Sequence, residues 1–181
     1  MRNYFFTLIF ISLHGCSHAE DLDVMKTALS SYCKGNDVYI LQSEAIEPPS
    51  RDQLSESLIK DVGEDLINAL YNSKNSPSIA EKMCSQVSVE KSLTIKKALE
   101  GKKEVKDIVF EDEHWAHFYH VFPGVKGVIY ISSVAYSSNR KSAIIFLASA
   151  CGPLCGGSTF IVVSHKKQKW RHVKSVQFSQ S

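Results

Sequence analysis

The chain has 181 residues, with 21 Lys+Arg against 19 Asp+Glu, 44% hydrophobic and 22% charged. That length suits one domain once a leader is set aside, and the composition excludes disordered, fibrous and polytopic membrane classes. If Arg2 leaves with the leader, twenty cations face nineteen anions. The basic excess of a nucleic-acid binder is therefore missing, and charge nominates no partner.

The chain opens Met1-Arg2-Asn3, runs from Tyr4 to Leu13 with Thr7 and Ser12 as polar interruptions, and continues His14-Gly15-Cys16-Ser17-His18-Ala19. One positive charge, a short apolar core and small residues at its end have the shape of a secretory signal. Ten residues span about 15 Å as a helix, half of the roughly 30 Å hydrocarbon layer, so the segment reads as an address and not as a transmembrane helix. Leu13-His14-Gly15-Cys16 resembles the bacterial lipobox, in which the Cys becomes the lipidated first residue of the mature chain, although His14 departs from the residue usual there. The expectation is a signal peptide over residues 1–15, a single mature domain over residues 16–181, and a lipid anchor at Cys16 on the periplasmic face of a bacterial membrane. Cleavage after Ala19, giving a soluble periplasmic protein, is the alternative. Both readings export the chain. Four further cysteines, Cys33, Cys84, Cys151 and Cys155, then predict disulfides, with three connectivities open.

Leu22, Met25, Leu29 and Tyr32 recur at helical spacing ahead of Gly35-Asn36, which predicts a first helix. Val38 to Leu41 predicts a short strand, closed by Pro48-Pro49. Ser50 and Gln53 form a capping-box pattern before Leu54, Leu58, Val62, Leu66 and Leu70, a second helix open to a break at Gly63. From Asn72 to Phe110 the pattern is weak. Ser76-Pro77 fits the start of a short helix holding Met83 and Cys84, and Leu93 to Leu99 fits strand or helix.

Farther along, Trp115, Phe118, Tyr119 and Phe122 share one helical face that Pro123-Gly124 ends. Four β-runs follow: Gly127 to Tyr136, Ser142 to Cys151, Ser158 to His165, and Lys169 to Phe178. Their short polar or Gly-rich connections predict a four-stranded antiparallel meander. The class expected is α+β, with amino-terminal helices packed on one face of that carboxyl-terminal meander. Tyr130, Tyr136, Phe146, Phe160, Trp170 and Phe178 are expected on the sheet's core face and in hairpin pairs.

Cys151-Gly152-Pro153-Leu154-Cys155 has three residues between its cysteines where a thioredoxin site has two, and predicted strands flank it on both sides. A three-residue hairpin tip places the two Cα atoms about 4.5 to 5.5 Å apart, so a structural disulfide is predicted, with redox catalysis as the alternative. Cys33 is then left for Cys84, with two buried free thiols as the alternative. His114, His117 and His120 follow Glu111, Asp112 and Glu113, but the aromatic face turns the histidines toward solvent. Three successive i+3 steps also fan over about 120°, too wide for one ion, so no metal site is expected.

Neither Gly-x-Ser-x-Gly nor His-Glu-x-x-His occurs, and Gly156-Gly157-Ser158 lacks the Lys of a phosphate loop. No catalytic residue and no cofactor is nominated. Lys166, Lys167, Lys169, Arg171, His172 and Lys174 form a basic edge, read as protection of an edge strand, with an anionic partner as the alternative.

Trp115, Phe118, Tyr119, Pro123, Gly124 and Gly127, then Ser133-Val134-Ala135-Tyr136, Cys151 to Gly156 and Trp170, resemble a family of uncharacterised exported bacterial proteins. In that family a Trp-x-x-Phe-Tyr helix ends in Pro-Gly, a meander follows, and a Gly-rich loop often carries this Cys pair. The resemblance covers residues 113–178; residues 44–110 do not align, and the family's carboxyl-terminal ending is not reproduced. It implies a fold and an exported setting and transfers no catalytic residue. The leading functional expectation is a non-enzymatic, lipid-anchored envelope protein that binds a partner protein or a cell-wall component. The alternatives are an envelope enzyme whose site is assembled from dispersed residues, and a thiol oxidoreductase using Cys151 and Cys155.

Overall fold

The computed structural model describes residues 15–73, 79, 82–101 and 113–180, and for residues 15–18 the backbone alone. Residues 1–14 of the expected signal peptide, residues 74–78 with Ser76-Pro77, and Glu111 and Asp112 lie outside the described residues; Met83 and Cys84, expected in a short helix, are not helical, and Cys84 instead forms an antiparallel bridge to Val87. In chain order the elements are α1 (Gly15–Ala28), β1 (Val38–Gln42), α2 (Glu56–Val62), α3 (Glu64–Asn72), β2 (Val87–Glu90), α4 (Ser92–Glu100), α5 (Glu113–Val121), β3 (Val125–Ile131), β4 (Ala135–Tyr136), β5 (Ser142–Gly152), β6 (Cys155–Lys166) and β7 (Lys169–Gln180). Short 3-10 turns follow α1 at Leu29–Ser31 and precede α2 at Arg51–Gln53.

The class is α+β, but the expected sheet needs correction. It is a seven-stranded mixed sheet in the order β2-β1-β3-β5-β6-β7, with β4 paired to β5. Strands β3, β5, β6 and β7 pair antiparallel in succession. Strand β1 adds to β3 in parallel, Ile40 beside Val128, and β2 adds to β1 in parallel, Leu41 beside Val89. The run from Gly127 to Tyr136 is also two strands. Between them Ser132 substitutes for regular pairing: its backbone N–H donates to the Phe146 carbonyl at 2.8 Å, and its Oγ accepts from the Phe146 N–H at 2.9 Å.

Helices cover both faces, where one was expected. Val24, Met25, Ala28 and Leu29 of α1 and its trailing turn pack with Ile129, Ile131, Ile145 and Leu147. On the opposite face Leu58, Val62, Ile67 and Leu70 of α2 and α3 meet Ile144, Phe146, Phe160 and Val162. Alongside them α4 and α5 bring Ile95, Ala98 and Phe118 over Ile40 and Val128. Burial on both sides explains why residues 143–147 are a continuous buried run and not an alternating one. The expected aromatic core face is likewise divided. Phe146, Phe160 and Phe178 cluster on the α2/α3 side, whereas Tyr136 and Trp170 pack on the α1 side.

The second helix is broken as Gly63 suggested, with φ of 107° between α2 and α3. It is also interrupted earlier. Gln53 Oε1 accepts from the Ser50 N–H at 2.9 Å, closing the 3-10 turn, and Ser55 then caps α2 by accepting from the Leu58 N–H at 3.2 Å. Residues Leu93 to Leu99 are helical, within α4, and strand β2 before them was not anticipated.

Candidate functional site

At one end of the sheet β5 and β6 meet in the hairpin tip Gly152-Pro153-Leu154. Their ladder runs from Ser142 beside Ser164 to Gly152 beside Cys155, so it delivers the two flanking cysteines to each other. Cys151 and Cys155 stand at disulfide distance, Cα to Cα 5.0 Å. Gly152 has φ of 146°, a conformation side chains resist. Leu154 at the apex is 86% exposed, an apolar side chain held out on a clipped turn.

The tip is braced from α5. Tyr119 donates its hydroxyl to the Cys151 carbonyl at 2.9 Å and to the Lys126 carbonyl at 3.1 Å. Gly127 lies beneath, where a Cβ would overlap the Ala150 carbonyl oxygen. The Trp-x-x-Phe-Tyr face therefore does two jobs: Phe118 is fully buried against the sheet, and Tyr119 reaches the tip.

The second cysteine pair lies apart from the tip. Cys33, just beyond the turn that follows α1, and Cys84, which bridges to Val87 at the start of β2, have Cα atoms 5.9 Å apart, also disulfide distance. Cys16 lies in the first turn of α1.

The histidines divide. His114 and His120 are exposed, but His117 is partly buried and its Nδ1 is 2.7 Å from the Ala98 carbonyl oxygen. It packs so close to Gly101 that a Cβ there would overlap its imidazole. The solvated face expected for all three is thus corrected for His117, because α4 covers that side of α5. Among the described residues no group of three His, Cys, Asp or Glu side chains could hold a metal ion.

Sequence reasoning missed two groupings. One is a recess lined by Glu47, Ser50, Tyr71, Ser73, Ser132 and Ser133, drawn from three distant segments with no shared motif. Three of its five hydroxyls donate to backbone: Tyr71 to the Pro49 carbonyl, Ser73 to the Leu70 carbonyl at 2.8 Å, and Ser132 to the Ser133 carbonyl at 2.9 Å. None of these three is held by a base, as nucleophilic activation requires.

The other grouping fastens α1 to the end of the sheet opposite the tip. Glu20 pairs with Arg140, and Tyr136 donates to Asp21 at 2.5 Å. Burial, reinforced by the Asp21 carboxylate, pushes the Tyr136 phenol far above its ordinary pKa, so it stays a donor. The Arg140 guanidinium lies 4.2 Å from the Tyr136 ring centre, and Trp170 packs tilted against that ring with centroids 5.8 Å apart.

The basic edge is where the hairpin reading put it, with Lys169, Arg171 and Lys174 on the sheet's edge strand β7. Lys174 donates to the Asp61 carbonyl on α2. Among the described residues every buried side-chain nitrogen and oxygen has a partner, and no helix is long and apolar enough to cross a membrane. Compared with known proteins, the chain matches no family model, no curated protein and no solved structure.

Proposed function

We propose that the protein is an exported, lipid-anchored envelope protein that works by binding, with the clipped tip Gly152-Pro153-Leu154 as its recognition element and an envelope protein or cell-wall component as its partner. One observation carries this reading. The four cysteines beyond Cys16 fall into two pairs at disulfide distance, an arrangement that suits an oxidising compartment and leaves no thiol over. The leader, the lipobox-like Leu13 to Cys16 and the resemblance to exported bacterial proteins support the same address.

Binding is favoured over thiol catalysis by local structure. Strands flank Cys151 and Cys155 on both sides, so no helix amino terminus is there to lower a thiol pKa. An exposed leucine on a rigid turn costs little ordering entropy when it is covered, which suits a contact residue.

Labelling cells with a radioactive fatty acid tests the anchor: wild type takes up label and Cys16→Ser does not. Equal labelling of both overturns it. A photo-crosslinking residue at position 154 tests the tip, with position 173 on β7, also exposed, as the control. A discrete adduct from position 154 alone is expected; adducts from both positions, or from neither, refute recognition at the tip.

A further inference from the structure

The end of the sheet opposite the clipped tip gathers cations that the fold does not use. Strand β5 begins where β6 ends, and the His165 N–H donates to the Lys141 carbonyl at 2.9 Å, so the β4–β5 and β6–β7 turns lie side by side. They carry Lys141, Lys166, Lys167 and Lys169, all exposed. None of these takes part in the three ion pairs found among the described residues. Of the nearby acids, Glu20 pairs with Arg140, Asp21 with Tyr136 and Asp65 with the Ser138 N–H at 3.3 Å, while Asp23 lines a recess with Lys169 and Arg171 and leaves Lys141, Lys166 and Lys167 as the cations farther out.

Edge protection does not explain the turn lysines. Lys169 and Arg171 lie along the exposed ladder of β7, but Lys141, Lys166 and Lys167 sit at strand ends, where there is no ladder to protect. Backbone conformation makes the choice of residue more pointed. Among the described residues the non-glycine positions with positive φ are Arg140 (54°), Lys167 (50°) and Gln168 (62°), all in these two turns. A two-residue turn with both φ positive favours Asn-Gly, yet here it holds Lys167-Gln168. Arg140 is accounted for by Glu20 and the Tyr136 ring, but Lys167 is a cation standing where the backbone favours glycine, and strain of this kind points to a use for the side chain.

Helix α1 supplies the geometry. Its Glu20 and Asp21 are fastened at this end, while the turn after it carries Tyr32 toward Ser149 and Gly157. The helix is continuous from Gly15, so Cys16 lies one turn beyond Glu20, about 6 Å farther along the axis. We propose that this end is the face the domain lays on an anionic lipid surface, with Lys141, Lys166, Lys167 and Lys169 at the headgroups beside the anchored Cys16. The inference rests on the lipid-anchor reading for its orientation. An acyl chain alone fixes position but not attitude, and a basic patch beside it supplies the second contact. The eleven residues of β5 then hold the clipped tip about 35 Å from the bilayer.

Vesicle flotation tests it, using neutral phosphatidylcholine and an equal mixture with phosphatidylglycerol. The mature chain, residues 16–181 carrying Cys16→Ser, should float with the mixed vesicles only, and lose them in high salt. Adding Lys141→Gln, Lys166→Gln, Lys167→Gln and Lys169→Gln should weaken that binding at least about a hundredfold. Lys167→Gly guards against misfolding, because glycine suits that backbone better; it should weaken binding by about fivefold. Salt-insensitive binding, equal binding to both vesicles, binding to neither, or retention on heparin without retention on vesicles overturns the proposal. The anchor is read separately, as flotation of wild type with neutral vesicles: its failure removes the lipid at Cys16 and leaves the Cys16→Ser comparison intact.

Discussion

The two cysteine pairs put the same chemistry to work at different length scales. Cys33 and Cys84 are 51 positions apart and join the turn after α1 to the start of β2, a four-residue strand at the edge of the sheet. Cys151 and Cys155 are four positions apart and close a tip that the β5–β6 ladder has already aligned. In the chain-entropy model the first removes far more freedom from the unfolded chain than the second. The long bridge therefore staples the fold where local sequence signals are weakest, and the short one shapes a surface where the ladder has done most of the folding.

The largest effect expected from this contrast is on global stability. Cys33→Ser with Cys84→Ser should cost about 4 kcal/mol, which for a domain of this size lowers Tm by about 10 °C in circular dichroism melts. The equivalent double replacement at the tip should cost about half as much. A greater loss from the tip pair would reverse the comparison and make the hairpin the fold's main constraint.

How far each region could be read from sequence follows the same division. The helix of Trp115, Phe118 and Tyr119, the β5–β6–β7 hairpins and the tip cysteines depend on periodicity and short turns, which are local, and they lie where the pattern placed them. Strand β2 and the parallel pairing of β2-β1-β3 do not. Ile40 pairs with Val128 and Leu41 with Val89, positions that no turn connects, so no turn signal marks them. Expecting helices on one face failed for a related reason: Ala143 to Leu147 is apolar at every position, and a run buried on both sides has no period to read. His117 was misplaced because the cover over α5 comes from α4, whose character as strand or helix the sequence left open. At the site, the cysteine pair was legible. Leu154's exposure and the clustering of lysines from two turns needed the sheet's topology.

Amide hydrogen exchange sharpens the contrast spatially. Losing the Cys151–Cys155 clip should speed exchange in the tip and in adjoining residues of β5 and β6, and leave α1 and β1 protected. Losing Cys33–Cys84 should speed exchange across β2 and the end of α1 and leave the tip protected. Loss of protection at the tip in both variants would mean that the two bridges restrain one cooperative unit.

The smallest expected effect is the most discriminating, and it comes from Tyr119→Phe. The hydroxyl removed shares its single proton between the Cys151 and Lys126 carbonyls, while the ring contacts with Trp115 and Phe118 remain available to Phe. The loss should be about 1 kcal/mol, the size of one net hydrogen bond. If the clip and this hydroxyl hold the same backbone, their effects will not add. Tyr119→Phe should then cost measurably more once Cys151 and Cys155 are serines, because the ladder alone remains to fix the tip. In the Cys33→Ser, Cys84→Ser background the cost should be unchanged, because that bridge lies elsewhere in the fold. Denaturant melts of the four combinations in each background supply both cycles. Coupling to Cys33 and Cys84, or additivity with the tip pair, would break the distinction between a staple that acts on the whole chain and a clip that acts on one turn.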